Sequence, residues 1–142
     1  MFKVLVIAYY FPPLGLSGVQ RTLKFVKYMP QTGWQPTVIT TGNIAYYAHD
    51  KSLQDELNKL NIEVIRTSSF DPNTVLAKLG TVKMPGEKIR KILNMLSQTF
   101  FIPDNKISWS KKAFDTACEV ISKEKYDAIF VSAPPFSAFK IS

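Results

Sequence analysis

The chain has a single cysteine and a single histidine among its 142 residues. Cys118 alone forms no intramolecular disulfide, and with only His49 beside it the sequence offers no Cys/His cluster for structural zinc. This usage fits a reducing, cytoplasmic setting. Cys118 stands among Ala117, Val120 and Ile121 and is expected as a buried core thiol rather than a nucleophile. Long apolar runs are also missing. None approaches the roughly eighteen residues of a membrane-spanning helix, which leaves only a helix lying on a membrane surface open. The opening run Val4 to Ala8 breaks at Tyr9, Tyr10, Pro12 and Pro13 without a small-residue cleavage site, so it reads as a strand and not as a signal peptide. Acidic residues are scarce as well: 11 Asp and Glu against 18 Lys and Arg leave a net charge of +7. That balance points to an anionic partner such as a phosphate group, nucleic acid or a membrane surface.

What is present is the composition of one folded domain, 46% apolar and 20% charged. Residues 2–9 form a nearly continuous apolar run, the pattern of a strand covered on both faces in a parallel sheet. Val19, Leu23, Val26 and Met29 then follow at helical spacing, with Arg21, Lys24 and Lys27 on the opposite stripe. Pro30 and Gly33 close this helix, and Pro36 to Thr40 reads as a second strand. Leu53, Leu57 and Leu60 mark a second helix with Asp50 or Ser52 as its cap, and Ile62 to Ile65 a third strand. From Thr67 to Ser108 regularity weakens, although Ile89, Ile92, Leu93 and Leu96 define an amphipathic helix after Pro85 and Gly86. A last helix through Trp109, Ala113, Ala117, Val120 and Ile121 leads to a fourth strand, Ala128 to Val131, which Ser132, Ala133, Pro134 and Pro135 end. Alternating strands and helices predict an α/β, Rossmann-like, doubly wound parallel sheet in three α/β/α layers, with strand order 3-2-1-4. The sequence stops soon after the fourth strand, and the expectation is a fragment of a longer chain.

In open sheets of this kind ligands bind beyond the carboxyl ends of the strands, where strand order reverses. The crevice is therefore expected between strands one and four, flanked by the loops Tyr10 to Gly18 and Ser132 to Phe136. The first loop places Gly15, Leu16, Ser17 and Gly18 just before a helix N-terminus, where backbone N–H groups and the helix dipole receive a phosphate. The plainer reading is a turn from sheet to helix. There is no GxGxxG and no GxxxxGK[ST], and strand two ends in Thr40, Thr41 and Gly42 where a ribose-binding acid would stand. Nicotinamide and P-loop chemistry are thereby disfavoured, and no aspartate ends strand one to accept a phosphoryl group. His49 follows strand two, far along the chain from the crevice, and reads as a surface or capping residue.

The run Tyr9-Tyr10-Phe11-Pro12-Pro13-Leu14-Gly15-Leu16-Ser17-Gly18-Val19-Gln20-Arg21 resembles the opening of family 4 retaining glycosyltransferases of the GT-B fold. Lys24 to Tyr28, Gly33 to Val38, Pro103-Asp104 before Trp109, and Ser132 to Pro135 resemble later landmarks of that family. The likeness is strong over the first forty residues and near 127–137, and weak through 67–102. It implies that residues 1–142 are the N-terminal, acceptor-side half of a GT-B enzyme, with the donor-binding domain lying outside this sequence. Such an enzyme moves a sugar from a nucleotide diphosphate sugar to an acceptor, here a glycan or lipid-linked glycan of the cell envelope, with retention and without a metal or other cofactor. The resemblance maps Gly15, Ser17 and Gly18 onto the donor diphosphate loop, and Gln20, Arg21, Ser132, Ala133, Pro134 and Pro135 onto the cleft lining. The family often has a glycine where this chain has Leu16 and a histidine where it has Ser132, so no catalytic residue is assigned. The 142 residues by themselves are expected to be inactive.

Lys83, Lys88, Arg90 and Lys91, with the apolar stripe beside them and Phe100-Phe101, form a basic amphipathic segment. It reads either as a packed helix with a solvated face or as a surface for an anionic membrane or lipid-linked acceptor at the inner face of the membrane. A non-catalytic, basic membrane- or polyanion-binding α/β module is the alternative to the enzyme. Nucleic acid is not expected as a partner, because the basic residues are scattered and no reading motif is visible.

Overall fold

The computed structural model describes residues 1–44, 46, 48–68 and 106–140. The amphipathic helix expected over Ile89 to Leu96, the Pro103-Asp104 landmark and the basic set Lys83, Lys88, Arg90 and Lys91 lie outside the described residues.

Four strands form one all-parallel sheet flanked by helices: β1 (Phe2–Ala8), β2 (Trp34–Thr41), β3 (Glu63–Thr67) and β4 (Ala128–Ser132), in the order β3-β2-β1-β4. Val6 stands opposite Val38 on one side and Phe130 on the other, and Ile39 opposite Ile65. Every residue from Val4 to Ala8 is buried, so both faces of β1 are covered, as its unbroken apolar run requires. Pro36 lies just before Thr37, where the β2–β3 pairing begins, so its missing N–H costs no bond to β3.

Helix α1 (Ser17–Tyr28) buries Val19, Thr22, Leu23 and Val26 and runs into a 3-10 turn, Met29–Thr32. Gly33 ends that turn at φ 85, a left-handed conformation that favours glycine. Helix α2 (Lys51–Asn58) buries Leu53 and Leu57, and the Asp50 carboxylate caps it by accepting from the Ser52 and Leu53 amides. The two helices are tied by Glu56, which accepts from Lys24 Nζ at 2.6 Å and from Lys27 Nζ at 2.7 Å. These two ammonium groups hold the Glu56 carboxyl down to about 2.

Helix α3 (Ile107–Lys123) packs against β2 and β3 through Trp109, Ser110, Ala113 and Ala117. One expectation fails here. Cys118 is exposed, not buried, because one residue past Ala117 turns it about 100° away from the inward stripe. Ile121 is also exposed, on the last turn of the helix, while Val120 keeps partial contact with the core. After β4 the chain makes a 3-10 turn, Phe136–Lys140, whose Ser137 and Ala138 are buried. No described helix is long and apolar enough to cross a membrane.

The largest fully buried side chains are Trp109, Tyr9 and Phe11. Tyr9 sits at the centre of an aromatic row: the Trp109 and Tyr10 rings meet it edge-on, each at 5.0 Å, and Tyr10 in turn meets Tyr46 at 5.5 Å. Lys106 Nζ lies 5.1 Å from the Tyr9 ring centroid, a cation–π contact. Through this row the core reaches out to the carboxyl ends of the strands, where Tyr10 and Tyr46 become cleft walls.

Candidate functional site

A cleft of about 430 Å³ opens where the order of strands reverses between β1 and β4. One wall is the start of α1, with Leu16, Ser17, Gly18 and Arg21; the other is the end of β4, with Ser132 and Pro134. Tyr10 and Tyr46 close the third side. Tyr46 was not anticipated. It belongs to the segment after β2, and only its tertiary stacking on Tyr10 brings it here.

Arg21 bridges the two walls. Its Nη2 donates to the Ala133 carbonyl at 2.8 Å and reaches the Ser132 hydroxyl at 3.5 Å, a long contact. Thr22 Oγ1 also meets Ser132 Oγ, at 3.1 Å, and donates to the Gly18 carbonyl at 3.2 Å. Ser132 is thus a joint between β4 and α1, and both loops are held in one arrangement. Of the other residues assigned to the cleft, Gln20 is exposed on α1, Pro135 is buried behind the cleft, and Ala133 contributes its carbonyl to Arg21.

The two glycines of the loop have different tasks. Gly15 is buried, its amide donates to the Ala48 carbonyl at 2.9 Å, and a Cβ there would meet the Ala48 Cβ at 3.2 Å. Its lack of a side chain lets two segments of backbone approach each other, and its amide is committed to that contact. Gly18 is the opposite case. Beyond its own helix, a Cβ at Gly18 would meet no described residue within 4 Å, its φ is not positive, and it lies in the first turn of a helix where alanine is the better former. Among the described residues nothing explains a glycine at this position.

Between them Leu16 takes φ 76, ψ 167, a backbone conformation that belongs almost entirely to glycine. The residue is nearly half exposed, so little burial offsets the strain. Leu16→Gly is expected to stabilise the chain by about 1 kcal/mol in urea unfolding, the strain relieved being larger than the entropy cost of the new glycine. A loss of stability would mean that the leucine side chain contributes more than its exposure suggests. No side chain caps the N-terminus of α1 and no acidic residue occupies its first turn, so the positive end of the helix is open toward the cleft.

His49 is exposed, as its surface reading requires, yet it is not remote from the loop. Its backbone forms an antiparallel bridge with Leu14, which folds the segment after β2 back along the loop after β1. It lines a second cavity on the other side of that loop and not the cleft between β1 and β4. Among the described residues no group of three His, Cys, Asp or Glu side chains is placed to hold a metal ion. Comparison of the chain with protein-family models, with curated proteins and with solved structures finds no match.

Proposed function

We propose that the chain is the N-terminal, acceptor-side lobe of a retaining GT-B glycosyltransferase, with helices on both faces of the sheet in three layers. In this reading the enzyme moves a sugar from a nucleotide diphosphate sugar to a glycan or lipid-linked glycan, and needs no metal. The observation that carries it is Gly18: a side-chain-free position at an uncapped helix N-terminus facing the cleft, where no described residue beyond its own helix would meet an added Cβ. Leu16 adds support, since its glycine-type backbone falls where the resembling family often has glycine. The donor diphosphate would approach the amides of Ser17 and Gly18. Arg21 and Ser132 would hold the far wall, and Gly15 would keep the loop against the segment after β2.

Most donor contacts in a two-lobed enzyme come from the other lobe, so the isolated chain should bind a nucleotide diphosphate sugar weakly. Titration followed by amide NMR is expected to give millimolar or weaker affinity, with shifts clustered at Ser17, Gly18, Arg21 and Ser132. Tight saturable binding would indicate a complete nucleotide site and a different function. Shifts elsewhere, or none, would remove the cleft from consideration. The alternative, a basic membrane- or polyanion-binding module, rests on Lys83, Lys88, Arg90 and Lys91.

A further inference from the structure

The loop after β1 separates two cavities, and the second one has a chemistry of its own. It holds about 320 Å³ at the carboxyl ends of β2 and β3. Its walls combine apolar Phe11, Pro13, Leu14 and Ile44 with the polar side chains of Thr41, Asn43, His49, Gln54 and Arg66. Among the described residues no aspartate or glutamate lines it.

Arg66 is the feature that calls for a ligand. The residue projects from β3, donates from Nη2 to the Pro12 carbonyl at 2.6 Å and from Nη1 to the Thr41 carbonyl at 3.3 Å, and so clasps the loop after β1 to the end of β2. Carbonyls orient a guanidinium but do not neutralise it. Among the described residues no carboxylate forms an ion pair with Arg66. Asp50, whose amide donates to the Pro13 carbonyl at 2.9 Å, is occupied in capping α2. Partial desolvation pushes the Arg66 guanidinium below its ordinary value, although the residue as a whole is exposed. Beside it, Thr41 Oγ1 is buried without a hydrogen-bond partner, a polar atom that the fold itself leaves unsatisfied. Arg66 is exposed, is held in place by two carbonyls and has no carboxylate partner among the described residues, so its guanidinium on the cavity wall is suited to binding an oxyanion.

We propose that this cavity binds a small, ring-bearing organic carboxylate, with the carboxylate on Arg66 and the ring against Phe11, Pro13, Leu14 and Ile44. One guanidinium matches one negative charge. A phosphate monoester dianion would call for a second full positive charge, and among the described residues the lining adds only the His49 imidazole, with no lysine and no second arginine. The size and walls of the cavity fit a six-membered ring. The proposal does not depend on the glycosyltransferase reading, because it concerns a different cavity and its test uses no sugar donor.

The test is an amide NMR titration of the intact chain with cyclohexanecarboxylate, beside its neutral counterpart cyclohexylmethanol and inorganic phosphate. Saturable shifts centred on Gly42, Asn43 and Arg66 are expected with the carboxylate, and much weaker responses with the other two. Arg66→Gln should reduce affinity at least about tenfold, the effect of losing a hydrogen-bonded charge. Because Arg66 also clasps two loops, a second variant carries the decision if the first unfolds. Gln54→Glu conserves side-chain size, adds a carboxylate to the cavity wall, and should also reduce affinity about tenfold or more by charge repulsion and by competing for Arg66. No saturable shift at these residues, equal binding of the alcohol, equal or tighter binding of phosphate, or unchanged affinity in Gln54→Glu would each overturn the proposal.

Discussion

Trp109→Ala is expected to cost about 3–5 kcal/mol of folding stability, the largest loss of any single substitution considered for this chain. Trp109 is fully buried, is the largest side chain in the core and meets Tyr9 edge-on. Its removal leaves a cavity where α3 meets the end of β1, and the sheet cannot collapse into that space without losing its register. Trp109→Phe should cost less than about 1.5 kcal/mol, since much of the ring volume remains. The phenylalanine also lacks the indole N–H, which is buried without a hydrogen-bond partner. Urea midpoints of the two variants and the parent chain check both values. A loss below about 1 kcal/mol in the alanine variant would show that α3 contributes little to the core. The same substitution should loosen the row from Tyr9 through Tyr10 to Tyr46, seen as weakened near-ultraviolet circular dichroism at temperatures where the chain remains folded.

Gly18→Leu is expected to have opposite effects on folding and on binding. Leucine forms helix better than glycine by roughly 0.5–1 kcal/mol, and at Gly18 no described residue beyond its own helix stands within 4 Å of a new Cβ. Thermal stability should therefore hold or rise. The added side chain projects from the open first turn of α1, where a diphosphate would need close approach to the backbone, and the response to a nucleotide diphosphate sugar should fall by about tenfold or more, or about 1.4 kcal/mol. A stable variant with unchanged amide shifts would mean that Gly18 has no part in ligand binding. A destabilised variant would mean that the glycine serves the fold.

Some corrections follow from single turns of helix. Placing Cys118 inside with Ala117 and Val120 treated a run of small and apolar neighbours as one face, whereas successive residues on a helix point about 100° apart. The inward stripe is Trp109, Ala113 and Ala117, and Cys118 faces out. Gly15 and Gly18 look equivalent in the sequence as two glycines ahead of a helix. Only the approach of Ala48 shows that one is a packing glycine and the other is not.

Local pattern determined the elements of this protein: the apolar run of β1, the stripes of α1, α2 and α3, the Asp50 cap and the Gly33 stop are short-range consequences of side-chain periodicity and backbone freedom. The order β3-β2-β1-β4 was also legible, because right-handed crossovers allow few ways to arrange alternating strands and helices. That order sets the cleft between β1 and β4, and with it Ser17, Gly18, Arg21 and Ser132. The tertiary structure decided what no spacing encodes, namely which distant segments meet. Folding the segment after β2 back along the first loop brought Tyr46 to the cleft, His49 to Leu14 and Ala48 to Gly15. Reaching across β2 carried Arg66 from β3 to Pro12, more than fifty residues away, and left its charge on the wall of a second cavity. Such contacts depend on long-range packing and on where a long side chain ends, and neither leaves a periodic trace in the sequence.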